Sequence, residues 1–506
     1  MFDGKQGTFK NVEAELHLKP GAESKFKVMP AAKPPKGIQE LYDKKLDKFY
    51  ETATPVDGVG IRVASQIVPV IKKKPNGETD LRICANYKNT INPLLEDEPY
   101  NFPTIDEQCE KLTGDYFTCL DITGAFPHIV MKENSRKILT VVTIRGYAEP
   151  FRLPFGVKTA PKIFQSNIDK LLAGIPNVAC IVDDICITGK NSQEHFQTLE
   201  AVLQRLNSAG LKLNEEKCKY YQKEVKYLGR IISREGQKMD PGIINAIVDM
   251  PEPKTAKELE SFLGFMSYVR RHVPDLSRVT PTLSALLQKG VKFEWMPSHK
   301  SAFQECKKLA GNVATLAHFD DAKELVLTTD ASPVGLGACL SHKISKGNKS
   351  YLQPISYASR SLTKSEKNYA QIEREGLAVK WAVKHFRQYL YCRHFTLQTD
   401  CSALVKIFGD KHDFGGCAIG RMNRWCVELM EYDFTAQHIT GETNKVCDGL
   451  SRLPKPSPGS SLIEDNGSDA PSMKTEDLAR GDNTPKDIVK CLSALPIEIE
   501  EVPCCK

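Results

Sequence analysis

Between residues 194 and 210 the apolar positions Leu199, Val202, Leu203 and Leu206 share one helical face and are followed by Gly210. This predicts an amphipathic helix closed by a glycine cap. A second helix is predicted from the capping-box pattern Thr255-Ala-Lys-Glu258, through Leu259, Phe262, Leu263 and Met266, to the neighbourhood of Pro274. The longest stripe runs Tyr369, Ile372, Gly376, Val379, Val383, Phe386, Leu390 in alternating steps of three and four. It predicts one long helix that buries this stripe against a sheet. Short runs rich in β-branched and aromatic residues, among them ICANY, ACIVDDICI, VKYLGRII, ELVLTT and HFTLQT, alternate with these helices and read as strands. The pattern is mixed α and β, without internal repeats.

With 506 residues the chain is long for one core, and three or more domains are expected. A hydrophobic content of 41%, a charged content of 26% and a mean hydropathy of -0.35 exclude a mainly disordered or collagen-like chain. No run reads as a membrane span, and MFDGKQGTFK lacks the apolar stretch of a signal peptide. The expectation is therefore an intracellular, cytoplasmic protein that is not secreted. Its sixteen cysteines are scattered with no C-x-x-C pair, which suits reduced thiols better than a disulfide framework or zinc ribbon.

Charge changes the picture at the C-terminal end. Residues 456–506 hold ten acidic and five basic residues, a balance of -5, which leaves +11 for the rest of a chain whose formal total is +6. A basic body of that size suits a polyanionic partner, although basic soluble proteins without one are common. The acidic tail, rich in Ser, Pro, Gly and Asp, has the composition of a disordered or linker segment.

Two sets of acids stand out. In NVACIVDDICITG, apolar β-prone runs flank Asp183-Asp184, which reads as a hairpin with both carboxylates at its turn. Upstream, YFTCLDITGAF ends an apolar strand in Asp121. A lone Asp-Asp is usually a solvated turn, but three clustered carboxylates repel one another unless cations sit among them. Hard oxygen ligands select Mg²⁺ or Mn²⁺, and paired ions serve phosphoryl transfer. In the second set, ELVLTTDAS and HFTLQTDCS both run a strand into an acid, Asp330 and Asp400. Glu375 lies beside Gly376 on the rim of the long stripe, and Asp448 follows in NKVCDGLSR. Any one of them alone reads as an exposed acid or a helix cap.

Across residues 7–454 the chain resembles the reverse transcriptase and ribonuclease H region of a gypsy-type (Metaviridae) LTR retrotransposon polyprotein. ASQIVPVIKK and LRICANYKNTINP resemble the family's fingers, LDITGAF its first palm motif, LPFGVKTAPKIFQ its template-gripping motif and IVDD its polymerase acid pair. AGLKLNEEKC and VKYLGRIIS follow in order, and SFLGFMSYVRRHVPDLS resembles the thumb. TTDAS, EREGLAVKWAV, LQTD and HITGETNKVCDGLSRLP match the ribonuclease H series. Two departures are visible. Ile181 stands where the family usually has an aromatic residue before the acid pair, and Asn86-Tyr87-Lys88 replaces the usual Asp-Tyr-Arg of the fingers.

The resemblance implies an α/β and α+β multidomain fold: a right-hand polymerase with fingers, ferredoxin-like palm and helical thumb, followed by a ribonuclease H-like α/β domain. The expected division is a 1–40 N-terminal extension, 41–235 fingers and palm, 236–318 thumb and connection, 319–455 ribonuclease H and the 456–506 tail. By the same resemblance Asp121, Asp183 and Asp184 are the polymerase's catalytic metal ligands, and Asp330, Glu375, Asp400 and Asp448 those of the ribonuclease H. Each site is expected to take two Mg²⁺, with Mn²⁺ as the alternative. Lys72, Arg82, Phe126 and Gly156 are the nucleotide-binding candidates, Phe126 as the ring that crowds a ribose 2′-hydroxyl. Arg270 and Arg271 are candidates for duplex phosphates, Lys217 for an auxiliary general acid and His438 for product release. Expected partners are an RNA template, a DNA primer, the RNA/DNA hybrid and dNTPs. The membrane is excluded and the oligomeric state left open; the setting is a virus-like particle and a longer polyprotein with protease and integrase. The competing reading is a decayed or domesticated fragment that binds nucleic acid with weak or no polymerase activity.

Overall fold

The computed structural model describes residues 1–2, 6–73, 79–273, 276–346, 349–408 and 420–440. Four sheets with three or more strands carry the described chain. The first has five strands in the order Ala53–Val56, Gly146–Pro150, Val141–Thr143, Ser65–Lys73, Thr79–Ala85 and forms the fingers. Tyr87, fully buried at its base, donates its hydroxyl to the Leu139 carbonyl at 3.0 Å.

The second sheet is the palm, in the order Lys219–Gln222, Tyr116–Asp121, Asp184–Gly189, Val178–Ile181. In chain order these strands are numbers four, one, three and two of a β-α-β-β-α-β unit, with helices Ala160–Leu172 and Ser192–Ser208 as crossovers. This is the expected ferredoxin-like topology. The helix predicted over 194–210 is the second crossover; Leu199, Val202, Leu203 and Leu206 are buried, and Gly210 takes φ 76° just past its end. The polar N-terminal residues are woven into the palm. Phe9 and Leu16 are buried, and the Phe9 N–H donates to the His128 carbonyl at 2.7 Å.

A three-stranded antiparallel meander, Glu224–Tyr227, Arg230–Ser233 and Gly236–Met239, leads into the helices Pro241–Val248, Ala256–Val269, Leu276–Ser284 and Pro297–Gly311. The predicted cap forms: Thr255 Oγ1 accepts from the Glu258 N–H at 3.2 Å, while Glu258 reaches back to the Lys254 N–H at 2.7 Å.

The last sheet orders Lys349–Ser361, Gly335–Lys346, Leu325–Ala331, His394–Thr399 and Asp433–His438. Its first three strands are antiparallel and the rest join in parallel. The long helix departs from expectation. It runs Gln371–His385, breaks at Phe386 (φ -94°, ψ 18°), and resumes as the short helix Arg387–Leu390. On both sides of the break the apolar residues stay in the core, with Phe386, Tyr389 and Leu390 all buried there. No described helix is long and apolar enough to cross a membrane.

Candidate active sites

The polymerase acids meet at one end of the palm sheet. In the ladder between Tyr116–Asp121 and Asp184–Gly189, Asp184 stands directly opposite Asp121 and Cys186 opposite Cys119. The turn joining the hairpin strands is Val182-Asp183, so Asp183 sits at the turn and Asp184 opens the next strand. Val182 has φ 55°, a conformation a β-branched residue rarely adopts. The buried Gln165 of the first crossover helix holds it there. Its Oε1 accepts from the Val182 N–H at 2.6 Å, and its Nε2 donates to the Cys180 carbonyl and to Asp169, both at 2.9 Å. Gln165 escaped the sequence reading. Its signal was an amide beside Phe164 on the inward face of an apolar helix, where it must find buried partners.

Lys217 donates to both oxygens of Asp121, at 3.0 and 2.9 Å, so the expected auxiliary residue already neutralises one acid of the cluster. Desolvation, then the charges of Asp183 and Asp121, push the Asp184 carboxyl up to about 6, with Lys217 acting the other way. Ile181, half-buried, stands opposite Asp184 across the hairpin and presents no ring there.

Two of the nucleotide-binding candidates, Arg82 and Phe126, come together through a residue not singled out. The guanidinium of Arg82 lies 4.9 Å from the ring centre of Phe155, and that ring is 5.4 Å from Phe126. Phe126 is half-buried and also meets Phe164 at 6.2 Å. Gly156 has φ 96°, and a Cβ there would lie 2.5 Å from the Ala85 carbonyl oxygen. The space a side chain would need at this nucleotide-binding candidate is thus taken by the protein's own strand. Lys72 pairs with Asp80 in the fingers ladder, and its side chain lies outside the described residues.

The second cluster assembles Asp330, Glu375 and Asp400, whose ligand oxygens lie within 4.8 Å of one another. Asp330 is on the central strand, Asp400 just beyond its parallel neighbour, and Glu375 on the helix that covers both. Glu375 is 4% exposed. Gln371, one turn earlier, donates to its Oε1 at 2.7 Å, while Oε2 is buried with no partner. Burial, then the charges of Asp400 and Asp330, push the Glu375 carboxyl up to about 8. A buried carboxylate oxygen without a donor, facing two further acids, fits a hard divalent cation. His438 ends the adjacent strand, exposed, with Nε2 3.1 Å from the Asp400 carbonyl. Asp448 lies outside the described residues.

Arg270 is exposed, as a phosphate contact requires. Arg271 departs from the expectation. Its guanidinium is 22% exposed and is committed to Asp106 at 2.9 Å, Glu110 at 3.2 Å, Ser356 at 3.1 Å and Tyr389 at 3.3 Å. A fork with four internal partners has few donors left for a phosphate. A cavity of about 570 Å³ lined by Tyr100, Lys111, Ile175 and Cys180 contains none of the clustered acids. Asp121, Asp184, Asp330 and Asp400 stand at or beside strand ends, Asp183 at a hairpin turn and Glu375 on a packed helix.

The reverse transcriptase (RNA-dependent DNA polymerase) family matches residues 71–232, and the RNase H-like domain found in reverse transcriptase matches residues 320–432. The chain is 35% identical over 390 residues to the retrovirus-related Pol polyprotein from transposon 297 of Drosophila melanogaster, covering 76% of this chain and 36% of that protein. Its homologues are retrotransposon Pol polyproteins. The transposon Tf2-3 polyprotein of Schizosaccharomyces pombe is 33% identical over 384 residues, 75% of this chain and 28% of its own length. The chain thus spans about a third of these curated relatives. Both families represented in it are in general divalent-metal dependent. In fold it is similar to the foamy viral protease-reverse transcriptase. The complex with dsDNA gives a TM-score of 0.68 at 21% identity, covering 87% of this chain and 90% of that one. The complex with RNA/DNA hybrid gives 0.63 at 20% identity, covering 93% and 61%.

Proposed function

We propose that this chain copies an RNA template into DNA and degrades the RNA strand of the resulting hybrid, as the reverse transcriptase and ribonuclease H segment of a retroelement polyprotein. The observation that carries the reading is the presence of two separate carboxylate clusters, each at the end of neighbouring strands in a different sheet. A decayed fragment is not favoured, because all six described acids converge on their two sites.

Asp121, Asp183 and Asp184 would hold divalent ions at the first site, and Asp330, Glu375, Asp400 and Asp448 at the second; Mg²⁺, two per site, is our assignment, with Mn²⁺ the alternative. Such ions, when bound, supply activation of the attacking oxygen and neutralisation of the leaving group. The chain's own residues do the rest. Gln165 fixes the turn that aims Asp183, and Lys217 offsets the repulsion among the polymerase acids before any ion arrives. Glu375 carries a proton near neutral pH when its site is empty, so cation binding there displaces it. Arg82, Lys72 and the Phe126–Phe155 pair would receive the dNTP, with Phe126 excluding a ribose 2′-oxygen. Arg270 would contact the duplex backbone, and His438 would assist release of the cut product.

The partners follow: RNA template, DNA primer, hybrid and dNTPs, in virus-like particles of the cytoplasm. The working division remains 41–235 for fingers and palm, 236–318 for the thumb and 319–455 for the ribonuclease H. The test is primer extension on an RNA template with Mg²⁺, beside an Asp183→Asn control and a hybrid-cleavage assay. Absence of template-dependent extension by the folded wild-type protein would remove the reading.

A further inference from the structure

Arg271 occupies the 3₁₀ turn Arg270–His272 that ends the helix Ala256–Val269, and its four partners come from two different domains. Asp106 and Glu110 lie on the short helix Ile105–Glu110 of the polymerase; Ser356 and Tyr389 belong to the ribonuclease H fold. Around this guanidinium the contacts close into a network. Tyr389 donates its hydroxyl to Glu110, and Gln388 donates to the same carboxylate at 3.4 Å. Asp106 is shared with the buried Arg230, which in turn bonds Gln237 at 3.1 Å. Burial opposes the charge on Asp106, but Arg271 and Arg230 outweigh it and hold the carboxyl below its usual value.

The elements that carry the network also adjoin both acid clusters. On the polymerase side, Gln108 of the same short helix is buried, and its Oε1 accepts from the Cys180 N–H at 3.0 Å, on the strand that leads into Val182-Asp183. On the other side, Tyr389 lies in the short helix that directly follows Gln371–His385, the helix carrying Glu375. Domains joined only by chain usually move relative to one another unless their contact is specific and well ordered. A forked cation gripped by two carboxylates, a tyrosine and a serine constrains orientation as well as separation.

We propose that Arg271 is a positioning residue that locks the polymerase palm to the ribonuclease H domain and thereby sets the spacing, along a bound hybrid, between the polymerase acids and the cut in the RNA. The inference rests on the proposed function for its substrate but on the network alone for its geometry. Arg271 acts through other residues and touches neither reacting atom.

The test uses the full chain and an end-labelled RNA annealed to a DNA primer with a recessed 3′ end, in Mg²⁺. The wild type should cut at a narrow set of positions measured from that 3′ end. Glu110→Gln with Tyr389→Phe removes part of the grip and should spread the cuts over at least about two-fold more positions, with primer extension changed by less than about two-fold. Arg271→Ala should spread them further, and Arg271→Lys, which keeps the charge and loses the fork, should fall between. Tyr389→Phe alone removes a single oxygen and is the variant that keeps the fold. An unchanged cut distribution in the folded double variant overturns the proposal. Hydrogen exchange of residues 105–110 and 387–390 provides a readout independent of activity. Coupled loss of protection in both segments supports the lock, and unchanged protection overturns it even if the wild type shows neither activity and the functional reading has failed.

Discussion

At the palm, a cation is already part of the acid cluster, since Lys217 spans both oxygens of Asp121, and the raised value of Asp184 stops at about 6. At the ribonuclease H cluster no lysine among the described residues plays that part for Glu375. It is buried with an oxygen unpartnered, and its value reaches about 8. The difference follows from how each sheet end is closed. The palm acids sit at a turn and two strand termini beside the Glu215–Lys217 turn, where a long side chain can lie across them. Glu375 instead points from a packed helix onto a central strand, and packing that excludes water also excludes a lysine head. The first site thus sets a cation against one of its acids from the start, while Glu375 at the second is held toward its protonated form until a divalent cation takes the proton's place.

The comparison breaks most decisively if the two clusters are not separable. Asp183→Asn should reduce primer extension by roughly 100-fold or more and leave hybrid cleavage nearly intact, and Glu375→Gln should do the reverse. Loss of both activities in either folded variant would show one shared site. A smaller effect tests the built-in cation. Lys217→Ala should slow extension by about 10-fold. It should also move the acid limb of the pH–rate profile upward from about 6, because the residue that lowers the Asp184 value is gone. Cleavage should not respond; an unmoved acid limb would mean that Lys217 plays no electrostatic part.

Phe126 sharpens what the polymerase end recognises. Phe126→Ala should raise the rNTP to dNTP ratio of kcat/KM by about 10-fold. A purely packing role against Phe155 and Phe164 predicts instead a stability loss on the order of 3 to 5 kcal/mol with both substrates depressed alike. Steady-state kinetics with dCTP and rCTP on one template, together with thermal melts, separate the two.

The waiting state of Glu375 has a thermodynamic signature. Its folded value lies above the ordinary 4.5, so the fold favours the protonated form, and metal-free stability should fall as pH rises from about 4.5 to about 8. Glu375→Gln should flatten that slope and raise Tm at pH 8 by a few degrees, about 2 to 4 °C for a large chain. Mg²⁺ should raise Tm of the wild type and not of the variant. A flat wild-type profile would make the two clusters alike. The smallest effect is expected for truncation after residue 455. A polar, acidic segment has little apolar surface to bury, so melts and both activities should stay within error.

Much of this was legible along the chain because it is local. The helix over 194–210, the Thr255 cap and the strands ending in Asp121, Asp330 and Asp400 follow from periodicity and capping chemistry that operate within a few residues. The convergence of acids was legible too, because like charges placed at strand ends demand a cation. What the periodicity could not show was the break at Phe386, since the helical stripe continues unbroken to Leu390.

Only the tertiary structure decided which polar groups are consumed by other parts of the chain. Arg271 reads as a free phosphate-binding cation until Glu110, 161 residues away, takes its guanidinium. Gln165 is not singled out in the sequence until it is found bracing a strained turn, and Lys217 reads as a candidate general acid until it is found paired with Asp121, 96 residues away. Residue types and spacing therefore determined which chemistry the chain carries and where its helices and strands begin. The protonation, pairing and alignment of those groups depend on burial and on partners distant in sequence. Charge and hydrogen-bond energies act over a few ångströms of space, whatever the separation along the chain.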